Sequence, residues 1–319
     1  MQLAIEARHV GRLYGSGGTA VGLRDLNLDV PAGRVLALLG PNGAGKTTAV
    51  RGLATLLRFD HGTARVAGFD VTTDAHRVRE RIALVGQAAA VDEQLSATAN
   101  LVLFGRLRGL DRASATCRAD ELLAQFGLTE ASRRPVHGFS GGMRRRLDVA
   151  AALVLRPDVL FVDEPTTGLD PAARRDLWRA LRELVAAGTT ILLTTQYLEE
   201  ADALADRIVL LDHGEVIAEG TSDDLKGMLG DPLIQVRPDT PDDAGPTLAV
   251  LSAIDPGAEL TDDGLVTIRA TGDDSLARCV RALTEHGLSP AEVTLRRASL
   301  DEVFLSLTEN PTATKEVAP

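Results

Sequence analysis

Apolar and polar side chains alternate over residues 1–30, as at Leu26, Leu28 and Val30, with turn-forming residues at 15–18. Alternation of this kind is typical of strands that are buried on one face only. Continuous apolar runs are instead typical of strands that are buried on both faces of a sheet. The chain therefore begins with a pattern that predicts an antiparallel strand system.

Short continuous apolar runs later in the chain predict buried strands. The first run ends just before a glycine-rich stretch, and the apolar positions from Thr47 onward fall on one face of a helix. A strand, a glycine-rich loop and a helix in this order predict a nucleotide-binding α/β topology. The runs occupy 35–39, 159–162, 190–194 and 207–211, and the helix positions are Val50, Leu53, Ala54 and Leu57.

Residues from about 90 to 137 are predicted to be mostly helical. Ser96 is placed to cap a helix that runs through Leu107, and Asp111 is placed to cap a second helix that ends at Phe126–Gly127. We therefore expect a helical insert at about residues 88–150.

The composition changes after Gly230, where residues that break helices and strands become frequent. Residues 232–246 contain several Pro, Asp and Gly, which predicts a domain boundary or an exposed loop. We predict a large α/β domain at 1–230, a small C-terminal α+β domain at 231–310 and a disordered tail at 311–319. The small domain is expected to contain strands at 265–270 and 292–295 and helices at 275–286 and 300–307.

The composition is that of a globular protein with a sizeable core, since 45% of the 319 residues are hydrophobic and 25% are charged. The formal net charge of −11 argues against a nucleic-acid binder, which usually carries a basic excess. The first residues lack the apolar stretch of a secretion signal, and apolar runs such as 149–155 are too short to span a membrane. Any membrane role is therefore expected to come through a partner.

The segment from Gly40 to Thr47 reads GPNGAGKT and fits the phosphate-loop pattern. Its glycines let backbone N–H groups turn toward phosphate oxygens, and the following helix presents its positive end. Lys46 would neutralise charge on the β- and γ-phosphates of ATP, while the Thr47 hydroxyl would ligate Mg²⁺. A glycine-rich turn with an incidental lysine is the alternative, which the flanking strand and helix disfavour. The predicted nucleotide contacts are Gly40, Pro41, Asn42, Gly43, Ala44, Gly45, Lys46, Thr47 and Thr48.

Asp163 and Glu164 follow the apolar run at 159–162. An aspartate fixed at the end of a buried strand is suited to a Mg²⁺ site, usually through water. The adjacent Glu164 can orient and polarise the water that attacks the γ-phosphate. Taken alone, two acids after an apolar strand are no more than a strand end meeting solvent. After a phosphate loop, they predict ATP hydrolysis with Glu164 and Lys46 as catalytic residues.

A serine and two glycines at 140–142 open another predicted helix. The serine caps the helix and the glycines bare backbone amides that can bind an anion, although the triplet alone is most often a plain cap. One nucleotide does not need two such helix ends from the same chain. We therefore expect this end to complete the site of another copy. The arginines at 144–146 are interpreted as a solvated helix face or an interface rather than a nucleic-acid patch.

The order of these motifs over about residues 1–230 resembles the ATP-binding subunits of ABC transporters. The resemblance implies a P-loop NTPase fold with an antiparallel β subdomain and a helical insert. It implies that Tyr14 stacks on adenine and that Gln87 links the γ-phosphate and Mg²⁺ to the helical insert. It also implies that Asp170 lies across a dimer interface. The residues implied to reach the ATP of the opposite subunit are Ser140, Gly141 and Gly142.

Two positions depart from the general pattern of this family. Met143 replaces the usual glutamine of the signature, and Gln196 stands where most members have a histidine that touches the γ-phosphate. A glutamine amide can donate a hydrogen bond but cannot carry a proton, so Gln196 joins the catalytic set as a γ-phosphate sensor only. With the sequence LDEVFL at 300–305, these departures resemble the daunorubicin-resistance branch of drug and lipid exporters. The helix at 300–305 is expected either to pack its own domain or to dock on a partner.

That resemblance implies an ATPase that is paired with a separate integral membrane permease subunit. We expect an exporter of a hydrophobic drug, antibiotic or lipid that forms a homodimer with ATP bound. We expect it to lie peripherally at the cytoplasmic face of the cell membrane and to bind no nucleic acid. The alternatives are an importer ATPase and a soluble ABC ATPase acting on ribosomes or DNA. A GTPase is disfavoured because the sequence lacks an Asn-Lys-x-Asp motif, and a non-enzymatic module is disfavoured because Glu164 is present.

Overall fold

The protein is described by a computed structural model that covers residues 2–15, 21–272 and 274–309. It divides into two compact units, one through Ser222 and one from Asp223 onward. This division falls slightly before the boundary predicted from the sequence. The predicted tail at 311–319 lies outside the described residues. None of the helices in the described ranges has both the length and the apolarity needed to cross a bilayer.

One large sheet carries the first unit. Its strands are β1 (Leu3–Tyr14), β2 (Val21–Pro31), β3 (Val35–Leu39), β4 (His61–Val66), β5 (Phe69–Asp70), β6 (Ile82–Val85), β7 (Val159–Asp163), β8 (Thr190–Thr195), β9 (Arg207–Asp212) and β10 (Glu215–Gly220). Their order across the sheet is β5-β4-β1-β2-β10-β9-β3-β8-β7-β6. The alternating strands β1 and β2 pair antiparallel, as predicted, whereas β3, β7 and β8 pair in parallel. Every residue of these three parallel strands is buried, which explains their continuous apolar sequences.

The helices of the first unit follow the predicted order. They are α1 (Lys46–Leu53), α2 (Ala75–Arg81), α3 (Ala97–Leu107), α4 (Arg112–Gln125), α5 (Gly141–Ala152), α6 (Pro171–Ala186) and α7 (Leu198–Leu204). Helices α3, α4 and α5 lie between β6 and β7, where the helical insert is predicted. The side chains of Ser96 and Asp111 cap α3 and α4, accepting from the amides of Ala99 at 3.2 Å and Ser114 at 2.9 Å. The predicted α/β class is confirmed.

The helix after the glycine-rich loop is shorter than predicted. It ends at Leu53, and Thr55 adopts a left-handed φ of 64°, which is incompatible with a continuing helix. Leu57 therefore lies beyond α1, and its predicted place on the apolar helix face is wrong. Val50, Leu53 and Ala54 are buried as predicted.

The second unit has a smaller antiparallel sheet. Its strands are β11 (Leu233–Arg237), β12 (Glu259–Leu260), β13 (Val266–Arg269) and β14 (Glu292–Arg296), in the order β12-β13-β11-β14. After α8 (Ser222–Gly227), which begins at the division, its helices are α9 (Ala244–Ser252), α10 (Ser275–Glu285) and α11 (Leu300–Glu309). Helix α9 contacts β13 and α10. The predicted α+β class of the C-terminal part is confirmed.

Residues 232–246, for which the sequence predicts a domain boundary or an exposed loop, contain regular secondary structure. Strand β11 lies inside this stretch, between β13 and β14, and α9 also begins there. Ile234 and Val236 of β11 are fully buried in the core of the second unit. Pro232 and Pro238 flank the strand without interrupting its hydrogen bonds. The prolines therefore mark the two ends of a central strand. The number of breaker residues in the sequence does not reveal this strand.

Candidate active site

The glycine-rich loop joins the end of β3 to the start of α1. Gly40 has no room for a side chain, because a Cβ there would lie 2.1 Å from the carbonyl oxygen of Leu211. Gly43 and Gly45 adopt left-handed φ angles of 86° and 104°, which glycine reaches without strain. Gly45 also precedes α1 and has no side chain with which to cap it. The first amides of the helix are therefore available to an anion.

Lys46 is held inside this loop and is only 4% exposed. Its ammonium donates to the carbonyl oxygens of Gly40 at 2.6 Å and Pro41 at 3.0 Å. One carboxylate oxygen of Glu164 lies 3.8 Å from the ammonium nitrogen. Burial lowers the pKa of Lys46, while Glu164 and Asp163 oppose this shift by favouring the charged form. The loop therefore carries a positive charge where the motif expects phosphate.

Thr47 and Asp163 lie together, as the magnesium hypothesis requires. The Thr47 hydroxyl is 3.3 and 3.4 Å from the two carboxylate oxygens of Asp163. Asp163 is 6% exposed at the end of β7. Mg²⁺ prefers hard oxygen ligands and usually takes one or two protein carboxylates together with phosphates and waters. The pair fits such an ion, although no group of three His, Cys, Asp or Glu in the described ranges could hold a metal unaided.

Glu164 is turned out of β7 by an unusual backbone conformation. Its φ of 47° lies in the left-handed region, which costs a residue with a Cβ about 1 kcal/mol or more. Its amide donates to the carbonyl oxygen of Thr194 at 3.0 Å, which extends the pairing of β7 with β8. The Thr167 hydroxyl lies 3.5 Å from a carboxylate oxygen of Glu164. The strained turn directs the acid toward Lys46.

A cavity of about 290 Å³ lies over the loop. Tyr14, at the end of β1, lines this cavity and remains 47% exposed, as stacking on a base requires. The guanidinium of Arg12 lies 5.6 Å from the centroid of the Tyr14 ring. The lining residues are Tyr14, Val21, Gly22, Asn42, Gly43, Ala44, Gly45, Lys46, Thr47, Thr48, Gln87 and Glu164.

A second cavity, of about 320 Å³, shares Gln87 and Glu164 with the first. Its remaining lining comes from Ala89, from the start of α5 and from residues 167–169. Gly141 is exposed in this cavity. Ser140 caps α5, and its hydroxyl accepts from the amide of Met143 at 3.2 Å. The start of α5 therefore borders this second cavity and does not line the first.

Several predicted contacts do not meet in one chain. Among the described residues, the predicted site residues that do not line the phosphate-loop cavity are Gly40, Pro41, Ser140, Gly141, Gly142, Asp163, Asp170 and Gln196. Ser140 and Asp170 are exposed and cap α5 and α6. Gln196 is half-buried after β8, and Gly142 is buried. Ser140, Gly142 and Asp170 were assigned to the ATP or interface of another copy, so a single chain is not expected to assemble them.

Arg145 is a site residue that sequence reasoning missed. The interpretation of 144–146 as a solvated helix face is wrong at this position, because Arg145 is only 8% exposed. Its guanidinium donates to main-chain oxygens on both sides of Glu164 and just before Gln87. In the sequence, three consecutive arginines give no indication of which one is buried. The available signal was Asp148, three residues later on the same helix face.

Thr194 is a second missed residue. It is fully buried at the end of β8 and its hydroxyl donates to Asp163, while its carbonyl oxygen accepts from Glu164. Two threonines that follow the apolar run at 191–193 were the signal for it. Thr194 therefore fixes both acids of β7 relative to the neighbouring strand.

Comparison with known proteins gives a consistent result. The sequence model for the ABC transporter family matches residues 23–167. The daunorubicin/doxorubicin resistance ATP-binding protein DrrA of Streptomyces peucetius is 51% identical over 311 residues, covering 97% of this chain and 93% of that protein. The doxorubicin resistance ATP-binding protein DrrA of Mycobacterium tuberculosis (strain ATCC 25618 / H37Rv) is 47% identical over 315 residues, covering 97% and 95%. Among solved structures, an ATP-binding subunit of an ABC transporter aligns with a TM-score of 0.62 and 30% identity, over 71% of this chain and 93% of that chain.

Proposed function

The chain belongs to the ATP-binding subunits of ABC transporters, and from that premise we propose an ATPase that powers export through a separate membrane subunit. The observation that carries the proposal is one cavity that brings Lys46, Thr47 and Glu164 around a loop shaped for phosphates. The two bacterial relatives are named for resistance to daunorubicin or doxorubicin. Because each likeness covers 97% of this chain, we propose a hydrophobic drug, antibiotic or lipid as the exported compound.

Nucleotide binding is the first step that these residues perform. The amides of the loop and of the first turn of α1 donate to phosphate oxygens. Lys46 holds its ammonium at the carbonyls of Gly40 and Pro41, and from there it can donate to the β- and γ-phosphates. Tyr14 offers a ring face to the adenine from the rim of the cavity.

Hydrolysis is assigned to Glu164. Its carboxylate orients the attacking water and accepts a proton from it. The Lys46 ammonium, 3.8 Å from that carboxylate, stabilises negative charge on the transferred phosphoryl group. Thr47, Asp163 and Gln87 would hold Mg²⁺, which supplies further neutralisation of phosphate charge when bound.

A second copy of the chain is proposed to complete each site. Ser140 and Gly141 are exposed at the start of α5 and would face the γ-phosphate bound by the other copy. The exposed Asp170 would lie across the same interface, and Gln196 would donate a hydrogen bond to the γ-phosphate. The ATP-bound form is then a homodimer. We place it at the cytoplasmic face of the membrane, beside an integral permease subunit.

Replacement of Glu164 by Gln tests this proposal. The change keeps the shape of the side chain and removes its capacity to accept a proton, so ATP hydrolysis should fall about 100-fold or more. ATP binding should persist, and sedimentation velocity with ATP should show dimers. Glu80→Gln, on the exposed face of α2, is the control and should hydrolyse ATP normally. Unchanged hydrolysis by Glu164→Gln would exclude its role, and only monomers with ATP would exclude the shared site.

A further inference from the structure

Arg145 makes an unusual set of contacts for a residue in a run of three arginines. Its guanidinium donates to the carbonyl oxygens of Gly86 at 2.5 Å, Pro165 at 2.9 Å and Asp163 at 3.2 Å. A guanidinium presents several N–H donors in one rigid plane, so one side chain can hold several carbonyls at fixed relative positions. Arg145 therefore links α5 to two main-chain segments beneath the candidate active site, one at 163–165 and one at Gly86.

These carbonyls surround the residues to which hydrolysis is assigned. Asp163 and Pro165 are the immediate neighbours of Glu164, and Gly86 is the immediate neighbour of Gln87. Glu164 is held in a left-handed conformation, and such a conformation persists only where the surrounding structure fixes it. Thr194 of β8 holds the amide of Glu164, while Arg145 holds the carbonyls on both sides of it.

The charge of Arg145 is balanced by a buried acid on the same helix. Asp148 is 4% exposed, and one of its carboxylate oxygens lies 3.3 Å from the guanidinium. The other oxygen accepts from the amide of Ala90 at 2.8 Å, in the segment that follows Gln87. The buried pair therefore binds the Gln87 segment at two points.

Helix α5 carries both Arg145 and the exposed cap Ser140. A helix moves as a rigid element over so short a distance, so displacement of its start also displaces the guanidinium. In the proposed dimer, Ser140 meets the ATP of the other copy while Glu164 acts on the ATP of its own chain. Contact between Ser140 and the ATP of the other copy would thereby affect the position of Glu164 at the ATP of its own chain.

We propose that Arg145 is a positioning residue that transmits the location of α5 to Glu164 and Gln87. This inference rests on the proposed function, because it supplies a link between the two shared ATP sites. It assigns no contact between Arg145 and nucleotide. Loss of the guanidinium should consequently slow hydrolysis while nucleotide binding to the loop, which Lys46 organises, is largely retained.

Arg145→Met tests the proposal, with Arg146→Met as its matched control. Arg146 is the next residue of α5 and is half-buried, but it donates to the carbonyl oxygen of Phe126 at 3.1 Å, away from the acids. Arg145→Met should lower kcat for ATP hydrolysis about 30-fold and change the Kd of a fluorescent ATP analogue less than about threefold. Arg146→Met should keep kcat within about threefold of the unsubstituted protein. The buried Trp178, the single tryptophan of the chain, reports whether each variant is folded.

A double variant separates positioning from charge balance. Arg145→Met leaves the Asp148 carboxylate buried without its partner, which can destabilise the protein by itself. Arg145→Met combined with Asp148→Asn removes both charges and keeps an acceptor for the Ala90 amide. The proposal expects this variant to be folded and still about 30-fold slow, because the carbonyls beside Glu164 remain unheld. Recovery of kcat to within about threefold would overturn the proposal and leave Arg145 only a counter-ion for Asp148.

Arg145→Lys adds a conservative comparison. A lysine keeps the charge for Asp148 but lacks the planar donor set that spans three carbonyls, so its kcat should fall between those of the unsubstituted protein and Arg145→Met. Full activity of Arg145→Lys would also overturn the proposal. Absence of ATP hydrolysis in the unsubstituted protein would instead contradict the proposed function. The two failures are therefore distinguishable.

Discussion

The starts of α1 and α5 both present a helix N-terminus suited to phosphate, but the chain surrounds them differently. At α1, Lys46 is buried and lies 3.8 Å from Glu164, with Thr47 beside Asp163. At α5, Ser140 is exposed and caps its own helix. One chain supplies the cation, the hydroxyl and the acids around the start of α1, which we call the furnished start. The start of α5 offers only a capped helix end to a partner, and we call it the dependent half of the site.

The glycines at the two starts serve different purposes. A Cβ on Gly40 would lie 2.1 Å from a backbone oxygen, so this glycine permits close packing of the phosphate loop. A Cβ on Gly142 would lie 2.5 Å from the Cβ of Ala173, so this glycine lets α5 approach α6. Gly141 has open space, with the nearest atom on Leu169 at 4.0 Å. At α5, Gly141 is therefore the glycine that leaves backbone amides accessible, whereas Gly142 allows α5 to pack closely against α6.

The largest effect is expected at the furnished start. Lys46→Ala removes the cation from the loop, so kcat/KM for ATP should fall about 100-fold or more. Arg51→Ala changes an exposed residue on the same helix and should leave kcat/KM nearly unchanged. Steady-state hydrolysis of ATP measures both variants. Normal turnover by Lys46→Ala would mean that hydrolysis does not need the cation at the start of α1, and the two helix starts would no longer differ in this respect.

A smaller and more selective effect is expected at α5. Ser140→Ala should lower kcat about 10-fold while the monomer keeps its affinity for a fluorescent ATP analogue, because Ser140 meets only the other copy's nucleotide. Ser96→Ala is the matched control, since its hydroxyl accepts from an amide three residues on at the same 3.2 Å. Both changes remove a helix cap and should each cost about 1 kcal/mol of unfolding free energy.

The two serine variants discriminate between a cap and a contact. If Ser96→Ala slows hydrolysis as much as Ser140→Ala does, the loss reflects helix stability alone. If Ser140→Ala weakens nucleotide binding by the monomer as much as it slows hydrolysis, α5 is not the dependent half of the site.

The sequence predicts the parts of this site that depend on residues close together in the chain. The strand, loop and helix from 35 onward identify Lys46 and Thr47, and an acid after an apolar run identifies Asp163. Arg145 could not be found in this way, because its acceptors lie in segments that only the folded sheet and α5 bring together. Strand β11 was missed for a similar reason, since its pairing with β13 and β14 outweighs the breakers around it.

The smallest effect concerns the stability of the furnished start. Because the pKa of Lys46 is lowered from its ordinary value of 10.5, the unfolded chain binds more protons than the folded chain at pH values between the two. The buried ammonium therefore costs stability at neutral pH, and this cost declines as the pH rises toward 10.5. Lys46→Met should raise the free energy of unfolding at neutral pH, and this gain should narrow as the pH rises toward 10.5. Urea denaturation followed by Trp178 fluorescence measures the gain. Ser140→Ala should instead lose stability by an amount independent of pH. If the free energy of unfolding of Lys46→Met equals that of the unsubstituted protein at neutral pH, the hydrogen bonds from Lys46 to Gly40 and Pro41 already offset the cost of its burial. The starts of α1 and α5 then do not differ in this contribution to stability.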